Sequence, residues 1–185
     1  MDEAHAFGVL GEHGRGALEA LALGQDDVPV MMATFGKALG VAGAFVAGRE
    51  EVIETLVQQA RPYMFSTATP PAQAAAVLEA LKVMQDEGWR RDHLGALIRR
   101  FRDGASERGL TLLPSETPIQ PLLLGDARRT VAASEALRRR GFFVAPIRPP
   151  TVPEGGSRLR ITLSAGHTVD QVDALLQALT VVAAA

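Results

Sequence analysis

Lys37 is the residue of this chain best placed for covalent chemistry. It sits in Met31-Met32-Ala33-Thr34-Phe35-Gly36-Lys37-Ala38-Leu39-Gly40, where an apolar run leads to one amine ringed by small residues. Glycines at 36 and 40 let backbone approach a bound group closely. A lysine held there, partly desolvated, loses some preference for the charged form and becomes a usable nucleophile. The plainer reading of this stretch alone is a surface lysine in a turn. Near the start of the chain, Asp2-Glu3-Ala4-His5 sets an acid and an imidazole three residues apart, before glycines at 8, 11, 14 and 16 that rule out regular structure.

An amine, a carboxylate, an imidazole and the hydroxyl of Thr34 together suit pyridoxal phosphate (PLP). The amine forms a Schiff base, and the carboxylate keeps the pyridine nitrogen protonated so that the ring acts as an electron sink. The imidazole can bond the ring's phenolic oxygen and the hydroxyl the phosphate. Competing constellations are weaker. Gly36-Lys37 lacks the Gly and Ser/Thr that a phosphate-binding P-loop needs at the positions of Met31 and Ala38. Asp2, His5 and His13 have no metal-specific spacing, so no metal site is expected.

The positioning elements follow from periodicity. Residues 30–33 are expected to form a short buried strand with Lys37 just beyond its end, where crevices open in α/β sheets. Residues 42–47 form the matching run, pairing with the first as a hairpin at a sheet edge. Short helices are expected at 17–23 and at 50–60, the latter with Val52, Ile53, Leu56 and Ala60 on one face. Residues 61–69 read as an irregular loop ending in Thr69 as the N-cap of a helix opened by Pro70 and Pro71. That helix, 71–87, carries the stripe Ala74, Val77, Leu78, Leu81 and Met84 and stops at Gly88.

Beyond it, a helix over 89–108 buries Leu94, Leu97, Ile98, Phe101 and Ala105. His93 is expected on its surface. Strands are expected at 110–113, 119–124, 142–145 and 158–163, with a helix at 130–140 closed by Gly141. Thr168-Val169-Asp170-Gln171 is a capping-box signature for a last helix with the stripe Val172, Leu175, Leu176 and Leu179. His167 stands next to that cap.

Composition narrows the class. The 185 residues are 47% hydrophobic and 22% charged, with a net charge of -2 and a pI near 6.1, which gives no electrostatic footprint for nucleic acid. Arg138-Arg139-Arg140 reads as the cationic end of a helix. The absence of cysteine excludes disulfides and thiolate chemistry. No apolar run reaches the ~20 residues of a membrane span, and a cytoplasmic location is consistent with both facts.

The chain resembles the α-oxoamine synthases of the fold-type I PLP enzymes. The resemblance rests on Asp2-Glu3-Ala4-His5, Thr34-Phe35-Gly36-Lys37, Phe65-Ser66-Thr67-Ala68-Thr69-Pro70-Pro71 and the run from Arg158 to Thr168, in the family's order. It implies an α/β fold, in which a remnant of the PLP-transferase large domain (1–70) and a linking helix (71–88) precede a C-terminal α+β small domain (89–185). It also implies roles. Asp2, His5, Thr34, Lys37, Ser66 and Thr67 would bind the cofactor, Ser66 and Thr67 reaching a partner's phosphate across a homodimer interface. Lys37, His5 and Asp2 would be catalytic. Arg160, or less readily Arg158, would take a substrate carboxylate, with Arg148 and Thr151 near the substrates.

Within the family, Ile147-Arg148-Pro149-Pro150-Thr151-Val152-Pro153 looks most like the biotin-pathway branch. That branch condenses L-alanine with a pimeloyl thioester of coenzyme A (pimeloyl-CoA) or of acyl carrier protein. A glycine-using relative is the nearest alternative enzyme. The family's long N-terminal portion, with its phosphate loop and ring-stacking side chain, has no counterpart here. The chain is therefore expected to be the C-terminal part of such an enzyme, with a fraying Asp2, poor PLP binding and no activity by itself. A non-catalytic remnant that only dimerises is the reading from another class.

Overall fold

The computed structural model describes residues 1–183. The chain divides into two compact units, Met1–Arg91 and Asp92–Ala185. The first contains α1 (Ala17–Ala20), β1 (Val30–Thr34), β2 (Ala44–Gly48), α2 (Glu50–Gln59), α3 (Arg61–Met64) and α4 (Pro71–Asp86). β1 and β2 pair antiparallel, from Val30 opposite Gly48 to Thr34 opposite Ala44. The other edge of β1 is taken by the start of the chain. The terminal ammonium donates to the Val30 carbonyl at 2.7 Å, Met32 N–H donates to Met1 O at 2.9 Å, and Glu3 N–H donates to Met32 O at 2.8 Å. Asp2 thereby forms a parallel bridge with Met32. The expected fraying of Asp2 is corrected: three main-chain bonds tie the terminus down.

Several boundaries move for local reasons. The second strand begins at Ala44 rather than 42, because Gly43 adopts φ 114° and its carbonyl turns back to accept from Phe35 N–H at 2.9 Å. The helix expected over 17–23 is a single turn, since Ala22 adopts φ 53°. Residues 61–64 form the helical turn α3 instead of loop. Thr69 is not the cap of α4. Pro70 holds that position without a side-chain bond, and its carbonyl accepts from Gln73 N–H at 2.9 Å. No residue of α2, α3 or α4 is buried; Leu78, expected on the apolar stripe, is 63% exposed, and Phe65 is 72% exposed.

In the second unit, α5 (Trp89–Glu107), which starts at the end of the first unit, leads into β3 (Ile119–Gly125), α6 (Ala127–Arg139), β4 (Ala145–Ile147), β5 (Ser157–Thr162) and α7 (Val169–Ala183). The sheet runs β3-β5-β4, with both outer strands antiparallel to β5. Alternation along β5 buries Ser157, Leu159 and Ile161, while Arg158 and Arg160 lie on the other face. Phe101, Leu97, Leu122, Leu137, Leu159, Leu176 and Leu179 form the fully buried core. α5 and α7 approach closely at Gly104, where an added Cβ would stand 2.5 Å from Leu176 Cδ1.

The capping box forms as read: Gln171 N–H donates to Thr168 Oγ1 at 3.2 Å and Thr168 N–H to Gln171 Oε1 at 2.9 Å. α6 starts three residues earlier than expected because the Asp126 side chain accepts from Arg129 N–H at 2.7 Å. The strand expected at 110–113 is a lone antiparallel bridge, Leu112 opposite Leu122. The one expected at 142–145 is displaced to β4. Phe142 N–H donates instead to Leu137 O at 3.0 Å, and the Val144 carbonyl accepts from Ser134 Oγ at 2.6 Å. His93 is half-buried rather than on the surface, its Nε2 bonding the His167 carbonyl at 2.9 Å.

A bidentate pair fastens α5 to α7: Arg100 Nε and Nη2 donate to Asp173 Oδ1 at 2.7 Å and Oδ2 at 2.5 Å. The Arg100 bond lowers the Asp173 pKa. A depressed carboxyl pKa means that the unfolded chain binds more protons, so this stability is present above the unfolded value of about 3.9 and is lost as pH falls through the folded one. Asp173→Asn should therefore flatten the acid limb of a urea-unfolding profile. The difference between the two proteins should be constant near neutrality and shrink below about pH 4.

Candidate functional site

The first unit gathers the amine, the carboxylate and one hydroxyl around β1. Asp2 pairs beside Met32, in the middle of β1, and Thr34 is the strand's last residue, with Lys37 in the turn that follows. Asp2 is exposed, and its Oδ1 accepts from Ala4 N–H at 2.8 Å. Such a local bond orients the carboxylate. Lys37 is exposed, so the desolvation expected of it is not supplied by residues of this chain. Its Nζ has no hydrogen bond or ion pair among the described residues. His5, also exposed, follows within the same opening turns.

Thr34 organises the lysine turn. Its Oγ1 donates to Gly43 O at 3.0 Å and accepts from Gly36 N–H at 3.1 Å. The hydroxyl's one proton is therefore engaged, and reaching a phosphate oxygen requires it to leave Gly43. Ser66 is in the same position, its Oγ donating to the Pro62 carbonyl. Thr67 is exposed and has no side-chain bond among the described residues. Phe45 stacks on Phe35 at 5.3 Å and meets Phe7 edge-on at 5.3 Å. These rings pack the loop after β1 against β2.

The sequence did not single out the polar side chains that shape the glycine-rich opening. Glu3 is fully buried and accepts from Ala17 and Leu18 N–H, each at 2.8 Å. Glu19 accepts from His13 N–H at 3.1 Å, Arg15 N–H at 3.0 Å and His13 Nδ1 at 2.6 Å. Burial pushes the Glu19 pKa up, but the His13 ring and the main-chain donors together outweigh it and hold the carboxyl below its ordinary value. Arg91 Nη1 and Nη2 donate to Met84 O at 2.8 Å and Glu12 O at 3.1 Å. A signal was present, a charged residue between Asp2 and His5 followed by glycines, but its partners lie far along the chain.

In the second unit, Arg160 is half-buried in the central strand, opposite Ala145 and Pro121. Its guanidinium has no partner among the described residues. Arg158, on the same face, is engaged through Nε with Gly156 O at 2.7 Å. Arg148 and Thr151 are exposed, with Thr151 N–H closing a turn on Arg148 O at 3.0 Å.

The donor set of the first unit, an exposed amine just beyond a strand end, a carboxylate oriented by its own backbone, an imidazole and hydroxyls, fits PLP. The model of the aminotransferase class I and II family matches residues 1–179; the chain belongs to that family of PLP-dependent enzymes. It is 58% identical over 97% of its length to the 8-amino-7-oxononanoate synthase of Pseudomonas entomophila (strain L48), and 56% identical over 97% to that of Pseudomonas fluorescens.

Each match spans 46% of the relative. The chain thus spans about half the length of the curated relatives it matches. Among solved structures it is similar to the 8-amino-7-oxononanoate synthase of Francisella tularensis (TM-score 0.88, 32% identity, 99% of this chain and 53% of that one). It is likewise similar to serine palmitoyltransferase of Sphingomonas wittichii (TM-score 0.90, 32% identity, 98% and 46%). A further neighbour is the S. paucimobilis serine palmitoyltransferase with a bound PLP-myriocin aldimine (TM-score 0.90, 28% identity, 98% and 46%). The fold is that of the fold-type I PLP enzymes.

Lys37 and Thr34 should separate cleanly in stability. Lys37→Ala removes an exposed side chain without polar partners among the described residues and should change the unfolding free energy by less than about 0.5 kcal/mol. Thr34→Val removes both of the side-chain bonds that Thr34 makes in the turn and should cost roughly 1 kcal/mol. Urea unfolding of the two variants reads both values.

Proposed function

We propose that the protein is an 8-amino-7-oxononanoate synthase, which condenses L-alanine with a pimeloyl thioester of coenzyme A or acyl carrier protein. The products are 8-amino-7-oxononanoate, carbon dioxide and the free thiol. The observation that carries the reading is the main-chain pairing that sets Asp2 beside β1, the strand that ends at Thr34 and leads into the turn with the exposed Lys37. The relatives named 8-amino-7-oxononanoate synthase support the choice within the family.

Lys37 would hold the cofactor through Nζ, Asp2 would face the ring nitrogen, His5 the ring oxygen, and Thr34, Ser66 and Thr67 the phosphate. PLP, when bound, supplies an electron sink for the bonds at the amino acid's Cα. With substrate bound, Lys37 would be available as a free amine whose Nζ takes the Cα proton as a general base. The Asp2 carboxylate is oriented by Ala4 N–H before substrate arrives, so it needs little reorganisation to stabilise the positive charge it faces. Arg160, whose guanidinium has no partner among the described residues, binds the alanine carboxylate through charge-assisted bonds, whereas the Nε of Arg158 is already engaged. Arg148 and Thr151 contact the substrates from the turn before β5. A homodimer is part of the proposal, through the exposed Ser66 and Thr67 segment.

The test joins this chain to the remaining N-terminal portion of the Pseudomonas entomophila relative and follows thiol release from pimeloyl-CoA. L-alanine should support turnover and glycine little. The chain without that portion should bind PLP poorly and show no turnover. In the joined protein Arg160→Ala should raise KM for alanine far more than KM for the thioester, by the roughly 1.5 to 3 kcal/mol of a charged hydrogen bond. A preference for glycine would make the protein a glycine-using relative. Equal effects of Arg160→Ala on both substrates would remove Arg160 from the carboxylate site.

A further inference from the structure

The opening segment carries a buried charge that the proposed reaction does not use. Glu3 is 0% exposed, and each oxygen of its carboxylate accepts one main-chain N–H, Oε2 from Ala17 and Oε1 from Leu18, both at 2.8 Å. No ion pair involves Glu3 among the described residues. A buried carboxylate is costly unless hydrogen-bonded, and charged hydrogen bonds of this kind are the strong ones. The chain makes room for it. Gly16 adopts φ +97°, and a Cβ there would stand 2.6 Å from Glu3 Oε2, so only glycine passes so close to the carboxylate.

The main chain of the same residue is fixed from the other side. Glu3 N–H donates to Met32 O at 2.8 Å, in the middle of β1. Glu3 is thus a strut between β1 and residues 16–18, with its side chain inside. Its neighbour Asp2 is exposed and bonds Ala4 N–H. With its backbone and side chain both pinned, Glu3 fixes the side of the chain on which the Asp2 Cβ stands, because consecutive side chains in an extended segment point to opposite sides, and the bond from Ala4 N–H then orients the carboxylate. Glu3 forms none of the bonds that would touch a cofactor.

We propose that Glu3 is a positioning residue: its carboxylate, clasped by Ala17 and Leu18 N–H, holds residues 2–4 on β1 and through them sets the direction of the Asp2 carboxylate. The inference rests on the reading that Asp2 faces the ring nitrogen of PLP. Its geometric part, however, is tested on the chain alone. Glu3→Gln keeps the size of the side chain, yet it replaces one acceptor oxygen with an NH2 group that cannot accept. Gly16→Ala attacks the same clasp from the other side, leaving Glu3 itself unchanged. Leu137→Ala, in the second unit, is the control for general destabilisation.

Amide hydrogen exchange is measured by NMR at Ala17, Leu18 and Ala4, the last reporting the bond to Asp2 Oδ1. Both clasp variants should speed exchange at all three amides by about tenfold, the loss of roughly one charged hydrogen bond, and the control should leave them unchanged. In the cofactor-loaded protein joined to the relatives' N-terminal portion, 15N-labelled PLP should lose its ring-nitrogen proton in Glu3→Gln, as in Asp2→Asn. Faster exchange at Ala17 and Leu18 with Ala4 and the ring-nitrogen signal unchanged would overturn the inference and leave Glu3 a loop fastener only. If Ala4 responds while the unaltered protein shows no protonated ring nitrogen, the positioning stands and the cofactor reading of Asp2 fails.

Discussion

The parallel pairing of residues 1–3 with β1 is the constraint on which the proposed site depends. Three main-chain bonds, from Val30 O to Met32 O, make residues 1–3 part of a sheet. Without them, Asp2 would be a mobile carboxylate screened by water. With them, a carboxylate stands at one edge of the strand whose end carries the amine. β2 holds the opposite edge, and the carbonyl of Gly43, the residue just before β2, is reached by Thr34 Oγ1 and fixes the turn in which Lys37 sits.

Chemistry in this fold is therefore prepared by backbone geometry more than by side-chain contacts. Thr34 and Ser66 are both engaged with carbonyls of their own segments, and Lys37 Nζ has no partner among the described residues. Binding of a phosphate would exchange hydroxyl bonds rather than add them, a cost that charged phosphate acceptors offset, being stronger than neutral carbonyls. In the second unit the same contrast separates two arginines on one sheet face: Arg158 is occupied by Gly156, and the Arg160 guanidinium has no partner among the described residues.

How far the sequence could be read depended on whether the forces were local. The second unit was legible because its helices bury one stripe each: Leu94, Leu97, Ile98, Phe101 and Ala105 of α5 are inside, and the Thr168–Gln171 box is a contact between residues three apart. The shift of β4 was not legible, since it follows from Ser134 on a different element taking the Val144 carbonyl. In the first unit, α2 and α4 have the periodicity of buried helices but bury no residue. Their stripes record a demand for cover that periodicity alone cannot locate. Lys37, Asp2, Thr34 and Arg160 could be named from residue type and resemblance. Glu3 could not, because its partners at Ala17 and Leu18 lie across the glycine-rich turns.

The central claim is that Lys37 is the amine that carries the cofactor. The protein joined to the relative's N-terminal portion is incubated with PLP, reduced with borohydride, digested and mapped by mass spectrometry. The account predicts a phosphopyridoxyl group on the peptide containing Lys37, and its loss in Lys37→Ala. The same group found instead on Lys82, the other lysine of the chain, would contradict it.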